Sequence, residues 1–361
     1  MQAPKGLEGV VVAQTHISDV QPGGQLSYRG QAIDQVVKGD FLDVASLVVT
    51  GTRQPDWREN FELRKHLHPA QAEFVLRLPR SLSPMAVLQT MVPLLAASGG
   101  LEHPLERGFD IAAKLPEVLL THLAGEPVRL PDANGDKACY ALQIVSILPG
   151  MGKLDRSRLE LLVKALNVTQ MLQIEHSMNA GTFAARVVAS TKAQVEGAIV
   201  AGFAALSGEL HGGADQDAIK MADRLNEPKH AAAFVRDMLQ RGEKIPGMGH
   251  REYRVRDPRA VCLDEWAMQL ADTGALQHTY LKLQAIEQAM VAEMSQRGKD
   301  VYTNVDFYKG IIYRALGLPD QAFTAMFALA RVYGYLAHYL ENALDNRIYR
   351  PQAQYVGEEN R

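Results

Sequence analysis

The sequence predicts an all-α protein of two domains and many helices, with a short β-hairpin-like segment near its start. Apolar residues recur at helical spacing through most of the chain after residue 34, and convincing strands are absent after residue 40. Residues 7–37 differ, because "GVVVAQTHISDV" is rich in β-branched residues and "QPGGQ" is a turn signal before "LSYRG". A chain of 361 residues can bury a large core and usually divides into two domains.

Five long segments carry the helical pattern, and they span residues 81–100, 156–177, 192–209, 276–299 and 323–347. Ser83 before Pro84 is a helix-start signal, and Pro93 predicts a kink in the same helix. Segment 192–209 is apolar nearly all round its second half, which predicts a central, buried helix. Segment 323–347 is mostly apolar in its first half.

The composition argues against several classes of protein. Lys and Arg number 38 against 41 Asp and Glu, so the formal charge of −3 argues against nonspecific nucleic-acid binding. The two cysteines, Cys139 and Cys262, provide no disulfide framework and no Cys-rich metal site. The longest apolar run, 198–206, is about half a membrane span, and the N-terminal residues lack a signal-peptide pattern. We therefore expect a soluble, cytoplasmic protein without nucleic-acid or membrane partners.

Three irregular stretches combine glycine with an ionisable residue, and they lie at 208–213, 241–259 and 299–306. Chemistry is concentrated on such loops when a rigid scaffold holds them. In "GELHGG", His211 follows the apolar helix and precedes two glycines. The imidazole can interact with the helix dipole beside an ordinary glycine cap. The glycines also allow a substrate to approach the backbone closely, so a structural and a catalytic role both stay open.

The second stretch, "KIPGMGHREYRVRDPRA", combines His250 with four arginines within nine residues. Guanidinium groups match carboxylates and phosphates, and the glycines free backbone N–H groups for the same purpose. The pattern suits an anionic ligand, with a solvated charged loop as the alternative. It lacks the GK[ST] of a Walker P-loop. Asp257 before Pro258 indicates the start of the next helix.

Three further residues each have a structural alternative. Asp306 in "NVDFYKG" suits the first turn of a helix. Arg331 lies in the apolar "FALARVYGY", where a guanidinium needs an internal carboxylate or an anionic ligand unless it snorkels at the core edge. Arg186 in "TFAARVVAS" has the same ambiguity and is expected to be structural. His176, taken alone, is expected to be a core histidine.

A metal site is not expected. No two of His176, His211 and His250 lie at the i,i+3 or i,i+4 spacing of a zinc-binding helix. The GxSxG motif of hydrolases and the GxGxxG motif of dinucleotide-binding proteins are also missing from the sequence.

Several segments together resemble the citrate synthase family, which includes 2-methylcitrate synthases. The matching segments follow one another in the family's order and spacing over nearly the whole chain: "GLEGVVVAQTHIS", "GGQLSYRG", "EHSMNAGTFAARVVAST", "LSGELHGGADQ", "GMGHREYRVRDPRA", "NVDFYKGI", "FTAMFALARVYGYLAH" and "RPQAQYVG". The resemblance implies the helical citrate synthase fold and a homodimer. It also implies a large domain of residues 1–211 and 312–361, and a small coenzyme A-binding domain of residues 212–311 that closes over the substrates.

The resemblance also implies the roles of individual residues. The catalytic set would be His211, His250 and Asp306. Oxaloacetate would be held by His176, Arg259, Arg331 and the partner subunit's Arg350. Coenzyme A would lie along Ile245, Gly247, Gly249, Arg254 and Asn304.

The implied reaction joins an acyl-CoA to oxaloacetate. Asp306 would remove a proton from the methyl group of acetyl-CoA, and His211 would donate a hydrogen bond to the thioester oxygen. His250 would polarise the ketone of oxaloacetate and protonate the new alkoxide. The citryl thioester is then hydrolysed, and no metal or redox cofactor is required.

Some positions depart from the family's usual pattern. At four of them the usual residue is replaced: Glu209 for proline, Asp215 for asparagine, Glu175 for aspartate and Lys309 for serine. The three acidic residues are expected to add negative charge near a site for anionic ligands. Gly181 stands where a serine would orient the ring of His211, and Thr182 could replace that serine. These changes are expected to lower activity or to shift the acyl-CoA preference.

Three hypotheses for the function follow. The first is a citrate synthase of the tricarboxylic acid cycle, an acyltransferase of the EC 2.3.3 type. The second is a 2-methylcitrate synthase, which uses propionyl-CoA and differs by one methylene in an acyl pocket that motifs do not determine. The third, from another class, is a non-catalytic helical homologue that acts as a metabolite-binding or scaffold dimer.

Overall fold

The computed structural model of the chain describes residues 4–98, 100–133, 139–272 and 274–357, and these are mainly helical. The three strands within them are β1 (Ser18–Val20), β2 (Leu26–Tyr28) and β3 (Gln31–Ala32). The helices within them are α1 (Ile33–Val36), α2 (Phe41–Thr50), α3 (Trp57–Arg64), α4 (Pro69–Arg77), α5 (Pro84–Ser98), α6 (Pro104–Ala124), α7 (Tyr140–Ser146), α8 (Arg156–Gln173), α9 (Ala180–Ser190), α10 (Val195–Leu206), α11 (Ala214–Arg224), α12 (Ala231–Gln240), α13 (Pro258–Leu270), α14 (Gly274–Gln296), α15 (Asp306–Ala315) and α16 (Phe323–Leu344). The predicted fold class is confirmed.

The N-terminal segment forms an antiparallel sheet in the order β1-β2-β3. The turn between β1 and β2 contains Gly24 with φ of +87°, a backbone conformation that favours glycine. The β-branched run is a strand only at its end, and Val11 is exposed. Tyr28 in β2 is fully buried, and its hydroxyl donates to the Glu175 carbonyl over 3.1 Å. The sheet therefore anchors this end of the chain against the segment that follows α8.

Helix α16 is the buried centre of the fold, whereas the sequence indicated α10. From Phe323 to Tyr339 its residues are buried apart from the half-buried Thr324. It contacts α2, α5, α6, α8, α9 and α10. Helix α10 is buried on one face and exposes Ala204 on the other. The predicted burial of α10 is confirmed except at Ala204, because α10 packs against α5, α6, α9 and α16, and alanine is small enough to be exposed at little free-energy cost.

Two glycines bring α9 and α10 close to α16. A Cβ atom at Gly181 would collide with the Tyr335 hydroxyl, and one at Gly202 would lie 2.5 Å from the Tyr335 ring. Only glycine fits at both positions without displacing that side chain. The Tyr335 hydroxyl donates to the Gly202 carbonyl over 3.2 Å. This contact joins the three helices beside the turn that carries His211.

The helix starts predicted from proline are correct. Helix α5 begins at Pro84 and continues through Pro93 to Ser98. Helix α13 begins at Pro258, and the Asp257 carboxylate accepts the first free backbone N–H of that helix over 2.9 Å. The capping carboxylate fixes the end of the loop that carries His250.

Helices α11 to α14 fall within residues 212–311, and α15 crosses the end of that range. The five helices pack mainly against one another, with further contacts to α8 and α16. The division of the chain into a large and a small domain stays a prediction. No helix in the described ranges is long and apolar enough to cross a membrane.

Candidate active site

His176 and His250, which come from separate segments of the chain, lie side by side. Their ring centroids are 5.1 Å apart, and the Tyr253 ring lies 4.6 Å from that of His250. The Tyr253 hydroxyl is 3.0 Å from His176 Nε2. Burial, followed by the charge of Arg259, holds the pKa of His176 well below its usual value. The ring is therefore neutral at pH 7.

Backbone contacts fix the proton on the His250 ring. Its Nδ1 accepts the N–H groups of Glu252 and Tyr253 over 3.0 and 3.2 Å. Burial, followed by the charge of Arg259, lowers the pKa of His250 to about 4, so the ring is neutral at pH 7. A neutral ring whose Nδ1 accepts carries its proton on Nε2. His250 therefore presents an N–H donor at Nε2. Arg259 Nη2, which can only donate, lies 3.4 Å away and forms no hydrogen bond with this tautomer.

The loop after His250 ends in a buried ion pair. Arg259 donates from Nη2 and Nε to the two carboxylate oxygens of Asp257, over 2.7 and 3.1 Å. Burial alone would lower the pKa of Arg259, but Asp257 raises it, so the pair stays charged. Asp257 Oδ2 also accepts the Val305 N–H over 3.3 Å. Asp257 thereby connects the arginine predicted to bind oxaloacetate with the residue before Asp306.

The four arginines of this loop do not form one anion site. Arg256 lies 2.8 Å from a carboxylate of α13 and 3.4 Å from one of α14. Arg251 and Arg254 are exposed. Only Arg259 lies with the histidines. Arg251 and Arg254 fit the alternative of a solvated charged loop, Arg256 has acidic partners on neighbouring helices that the loop sequence does not reveal, and an anionic ligand at Arg259 stays a prediction.

Arg331 is buried in α16 with only 1% of its surface exposed, which excludes snorkelling. Its Nε donates to the Gln173 carbonyl over 2.7 Å, and its Cζ lies 4.7 Å from the centre of the Phe327 ring. Burial lowers its pKa, and no carboxylate of the described residues forms an ion pair with it. Because a buried charge without a partner is costly, this position favours an anionic ligand.

His211 lies in the turn between α10 and α11. Its Nε2 is 3.3 Å from the Gly181 nitrogen and 3.3 Å from Asn179 Oδ1. The two contacts need opposite tautomers, because the Gly181 N–H donates to a bare Nε2 and Asn179 Oδ1 accepts from a protonated one. Burial, followed by the charge of Arg331, lowers the pKa of His211 to about 4. The ring is therefore neutral at pH 7 and is held by the start of α9.

Thr182 orients the His211 ring only through Asn179. Its hydroxyl accepts from Asn179 Nδ2 over 2.8 Å, which turns Asn179 Oδ1 toward the imidazole. A serine at position 181 would not fit, because Tyr335 occupies the space of its Cβ. Either the backbone N–H of Gly181 or the Asn179 amide, depending on the tautomer, therefore holds the ring where a serine hydroxyl was expected.

Asp306 is the first residue of α15, as predicted for a first-turn residue. Its N–H donates to Asn304 Oδ1 over 3.0 Å, and its surface is 8% exposed. Burial dominates the lowered pKa values of both His211 and His250, and the Asp306 carboxylate opposes that lowering in both. One carboxylate thus lies within electrostatic reach of the two neutral imidazoles.

Two departures from the family pattern, Lys309 and Asp215, carry opposite charges that compensate each other. Lys309 Nζ lies 2.7 Å from Asp306 Oδ1 and 3.1 Å from Asp215 Oδ2. Both Lys309 and Asp215 are fully buried, whereas Glu209 is exposed. The expectation of added negative charge was wrong here, because the lysine and the aspartate introduce opposite charges.

The third acidic departure, Glu175, belongs to a buried network. Its Oε1 accepts from the Ser18 hydroxyl over 3.0 Å and lies 3.0 Å from His338 Nε2. Burial would raise the pKa of Glu175, but His338 and then Arg331 hold it below its usual value. Arg186 lies 3.0 Å from His338 Nδ1 and pairs with a carboxylate of α16 at 2.8 Å, so it is structural, as predicted.

The turn predicted to bind coenzyme A has two glycines in the left-handed region, with φ of +74° at Gly247 and +86° at Gly249. A Cβ at Gly247 would lie 2.8 Å from Phe307 Cα. Asn304 donates from Nδ2 to the Gly249 carbonyl and from its backbone N–H to the Gly247 carbonyl, each over 2.9 Å. Ile245 is buried, so its contact with coenzyme A stays a prediction.

Arg350 does not reach the cluster of its own chain. It is exposed, and its Nη1 donates to the Pro351 carbonyl over 3.2 Å. The preceding residue, Tyr349, packs on Phe183 with ring centroids 5.8 Å apart. The contribution of Arg350 to a partner's site stays a prediction.

Two residues of the site, Asn179 and Tyr253, were not found from the sequence. Asn179 is the N-cap of α9, where its Oδ1 accepts the Thr182 N–H over 3.1 Å. An asparagine before a helix is a recognisable N-cap signal, although it does not indicate a contact with His211. Nothing in the sequence spacing distinguishes Tyr253.

These residues define a buried site of neutral imidazoles, guanidinium groups and one carboxylate within a helical protein. Such a site can bind a small anion and move a proton. In the described ranges, no three His, Cys, Asp or Glu side chains are grouped as metal ligands. The class of protein is therefore a helical enzyme with an anion-binding, acid–base site.

The chain belongs to the citrate synthase family, because the family model for the citrate synthase C-terminal domain matches residues 6–352. Its homologues make it a transferase-type enzyme. A relative named citrate synthase from Synechocystis sp. is 33% identical over 99% of this chain and 91% of its own. A relative named 2-methylcitrate synthase 2 from Corynebacterium glutamicum is 31% identical over 99% of this chain and 95% of its own.

A solved structure is also similar. It is the ternary complex of carboxymethyl coenzyme A and oxaloacetate with citrate synthase from Thermoplasma acidophilum. The TM-score is 0.88 with 26% identity, covering 99% of this chain and 97% of that one.

The neutral histidines predict how stability depends on pH. In the folded chain the pKa values of His211 and His250 are about 4, below the usual value near 6.5, so the unfolded state binds protons first as pH falls. Each ring should lower the free energy of unfolding between pH 6.5 and 4 by roughly 1.4 kcal/mol per pH unit. Asp215, whose pKa burial raises to about 6 in the folded chain from a usual value of 3.8, should oppose this fall below pH 6. Urea unfolding at pH 7, 6 and 5 measures the slope.

The variant His250→Gln lacks one of the two titrating rings. Its free energy of unfolding should therefore fall less steeply with decreasing pH, by roughly 1.4 kcal/mol per pH unit, the contribution of one proton. His230→Gln is the matched control, because His230 is exposed and its solvation changes little on unfolding. Equal slopes for His250→Gln and the parent protein would contradict the assignment of a neutral, buried His250.

Proposed function

We propose that the chain is a citrate synthase, which condenses acetyl-CoA with oxaloacetate and water to give citrate and coenzyme A. The observation that carries the proposal is the placement of Asp306 within electrostatic reach of two neutral imidazoles, His211 and His250. A carboxylate and two N–H donors are the groups that enolate formation followed by carbonyl addition needs. Membership of the citrate synthase family supports the same reaction.

In this proposal, oxaloacetate is the dianion whose negative charge compensates the positive charge of Arg331. One carboxylate would pair with this buried guanidinium, and Arg259 and His176 would contact the rest of the molecule. Arg259 is already oriented by Asp257, so little side-chain freedom is lost on binding. Preorganised donors of this kind orient the ketone for attack.

Asp306 is the proposed general base that abstracts the proton. The carboxylate takes a proton from the methyl carbon of acetyl-CoA, and negative charge moves to the thioester oxygen. The enolate then needs a hydrogen-bond donor, which is the role proposed for neutral His211. Of the two tautomers, the one that accepts the Gly181 N–H at Nε2 carries its proton on Nδ1, and this tautomer is proposed to supply the donor.

Carbon–carbon bond formation uses His250. The methyl carbon attacks the ketone carbon of oxaloacetate, and the ketone oxygen becomes an alkoxide. The His250 Nε2–H, fixed by two backbone contacts at Nδ1, polarises the ketone and then protonates the alkoxide. Water finally cleaves the citryl thioester: one of its protons returns to His250, and the proton held by Asp306 goes to the departing thiolate, which leaves as the thiol of coenzyme A. No cofactor is proposed.

Coenzyme A would bind along the turn that contains Gly247 and Gly249, with Asn304 near the acyl end and Arg254 at the exposed side. The turn and Asn304 are held together by hydrogen bonds, so the thioester and Asp306 would be positioned by one rigid unit. Residues 212–311 are proposed to close over both substrates as a small domain, which would exclude water. A cytoplasmic setting is proposed because both cysteines are free.

The second candidate is 2-methylcitrate synthase, favoured by the relative of that name at 31% identity. The experiment measures thiol release from acetyl-CoA and from propionyl-CoA in the presence of oxaloacetate. Higher kcat/KM with acetyl-CoA supports the proposal, and higher kcat/KM with propionyl-CoA supports the second candidate. A folded protein that binds oxaloacetate and releases no thiol from either would be the non-catalytic homologue.

Asp306→Asn should lower kcat by roughly 10²–10⁴-fold, because an amide cannot accept the methyl proton. Oxaloacetate binding, measured by calorimetry, should stay close to that of the parent, since Asp306 is not among its proposed ligands. Asp300→Asn is the matched control, because Asp300 is an exposed residue in the preceding loop. Full activity of Asp306→Asn would contradict the assignment of the base.

The active assembly is proposed to be a homodimer in which Arg350 completes the partner's site. Arg350→Ala and Asp306→Asn should each be nearly inactive alone. Mixed dimers refolded from equal amounts of the two should regain about a quarter of the parent's active sites, since one native site forms in each hybrid. A mixture no more active than its components, with hybrid dimers detected by native mass spectrometry, would contradict the shared site.

A further inference from the structure

Lys309 is a buried cation that the proposed mechanism does not use. It lies one turn after Asp306 on α15, and its Nζ donates to Asp306 Oδ1 over 2.7 Å. The same Nζ is 3.1 Å from Asp215 Oδ2, which belongs to α11. The side chains of Lys309 and Asp215 are fully buried, and that of Asp306 is 11% exposed. Two helices thus meet at one ammonium group.

Asp306, Lys309 and Asp215 form a triad of two carboxylates around one ammonium group. Lys309 contributes one positive charge and Asp215 one negative charge, so the two offset each other. Burial would lower the pKa of Lys309, but Asp215 followed by Asp306 raises it, and the lysine stays protonated. A lysine that paired with Asp306 and with no second carboxylate would neutralise the charge of Asp306, which would make that carboxylate a weaker base. The second carboxylate prevents that neutralisation.

The contact also selects one oxygen of the carboxylate. Oδ1 of Asp306 accepts from Lys309, and no side chain or backbone group of the described residues donates to Oδ2. The direction of the side chain is therefore fixed while Oδ2 stays available to accept a proton. A base held in one orientation reacts faster than one that rotates.

The ring of Phe327 restrains the ammonium from the other side. Lys309 Nζ lies 4.4 Å from the ring centroid, and Arg331 Cζ lies 4.7 Å from the same centroid. Cations over an aromatic face are attracted to it. One ring therefore holds both the cation that faces the base and the cation proposed to bind oxaloacetate.

We propose that Lys309 is a positioning residue for the base Asp306 and that Asp215 is the counter-ion that offsets the charge of Lys309, so that the lysine orients the base without neutralising it. The inference rests on the proposed function of Asp306. It predicts that Lys309 and Asp215 affect the rate of the proton-abstraction step, in addition to any contribution that these two residues make to folding.

The test compares Lys309→Met, Asp215→Asn and the double variant with the parent. Lys309→Met should lower kcat by about 10- to 100-fold, while KM for oxaloacetate changes less than about threefold. The deuterium isotope effect on kcat with methyl-deuterated acetyl-CoA should rise, because abstraction becomes more rate-limiting. The double variant removes one charge of each sign, so it should recover thermal stability lost in the single variants without recovering kcat or the parent isotope effect.

Lys65→Met is the matched control. Lys65 is also fully buried and pairs with a glutamate three residues earlier, Glu62, far from the site. Its loss should lower the melting temperature and leave the isotope effect unchanged. The same outcome for Lys309→Met, or recovery of the parent kcat in the double variant, would overturn the inference and leave the proposed function intact. A parent that releases no thiol from either thioester would overturn both.

Discussion

The burial of Arg331 is the constraint on which the site depends. A guanidinium group with 1% exposure lies in the central helix, and no carboxylate of the described residues pairs with it. Hydrogen bonding to the Gln173 carbonyl and contact with Phe327 hold the group in place without neutralising it. Glu175 attracts the guanidinium electrostatically without forming an ion pair with it, so the unliganded chain carries an incompletely compensated charge that a dianionic substrate compensates on binding. The buried charge of Arg331 therefore lowers the stability of the free protein and raises its affinity for the anionic substrate.

The other buried charges around it are matched. Arg259 has Asp257 and Lys309 has Asp215, while Glu175 is held by hydrogen bonds with Ser18 and His338. These pairs need no ligand, so they hold their side chains in position before the substrate arrives. The neutral histidines complete the arrangement, since burial and neighbouring cations keep their pKa values low and so keep one N–H and one lone pair on each ring. The site is thus prepared for one incoming anion.

Much of this could be predicted from residues that are close in sequence. The helical pattern, the cap formed by Asp257 before Pro258, and the oddity of an arginine in an apolar helix are all local features. The pairing of Lys309 with Asp215 could not be predicted, because it joins two helices that meet only in the folded chain. The fit of Gly181 against Tyr335 was missed for the same reason, and so was the Asn179 contact with His211. In the sequence, Lys309 and Asp215 are two separate departures from the family pattern, whereas in the folded chain they form one ion pair.

The measurement that tests the central claim most directly is the effect of Arg331→Met on the free protein and on oxaloacetate binding. Calorimetric titration and thermal unfolding would be done on the same samples, with and without oxaloacetate. The account predicts that the free variant unfolds at the same or a higher temperature than the parent, because an unpaired buried charge is gone. It also predicts that oxaloacetate affinity falls by at least about 100-fold and that oxaloacetate no longer raises the melting temperature. A less stable free variant that binds oxaloacetate as tightly as the parent would contradict it.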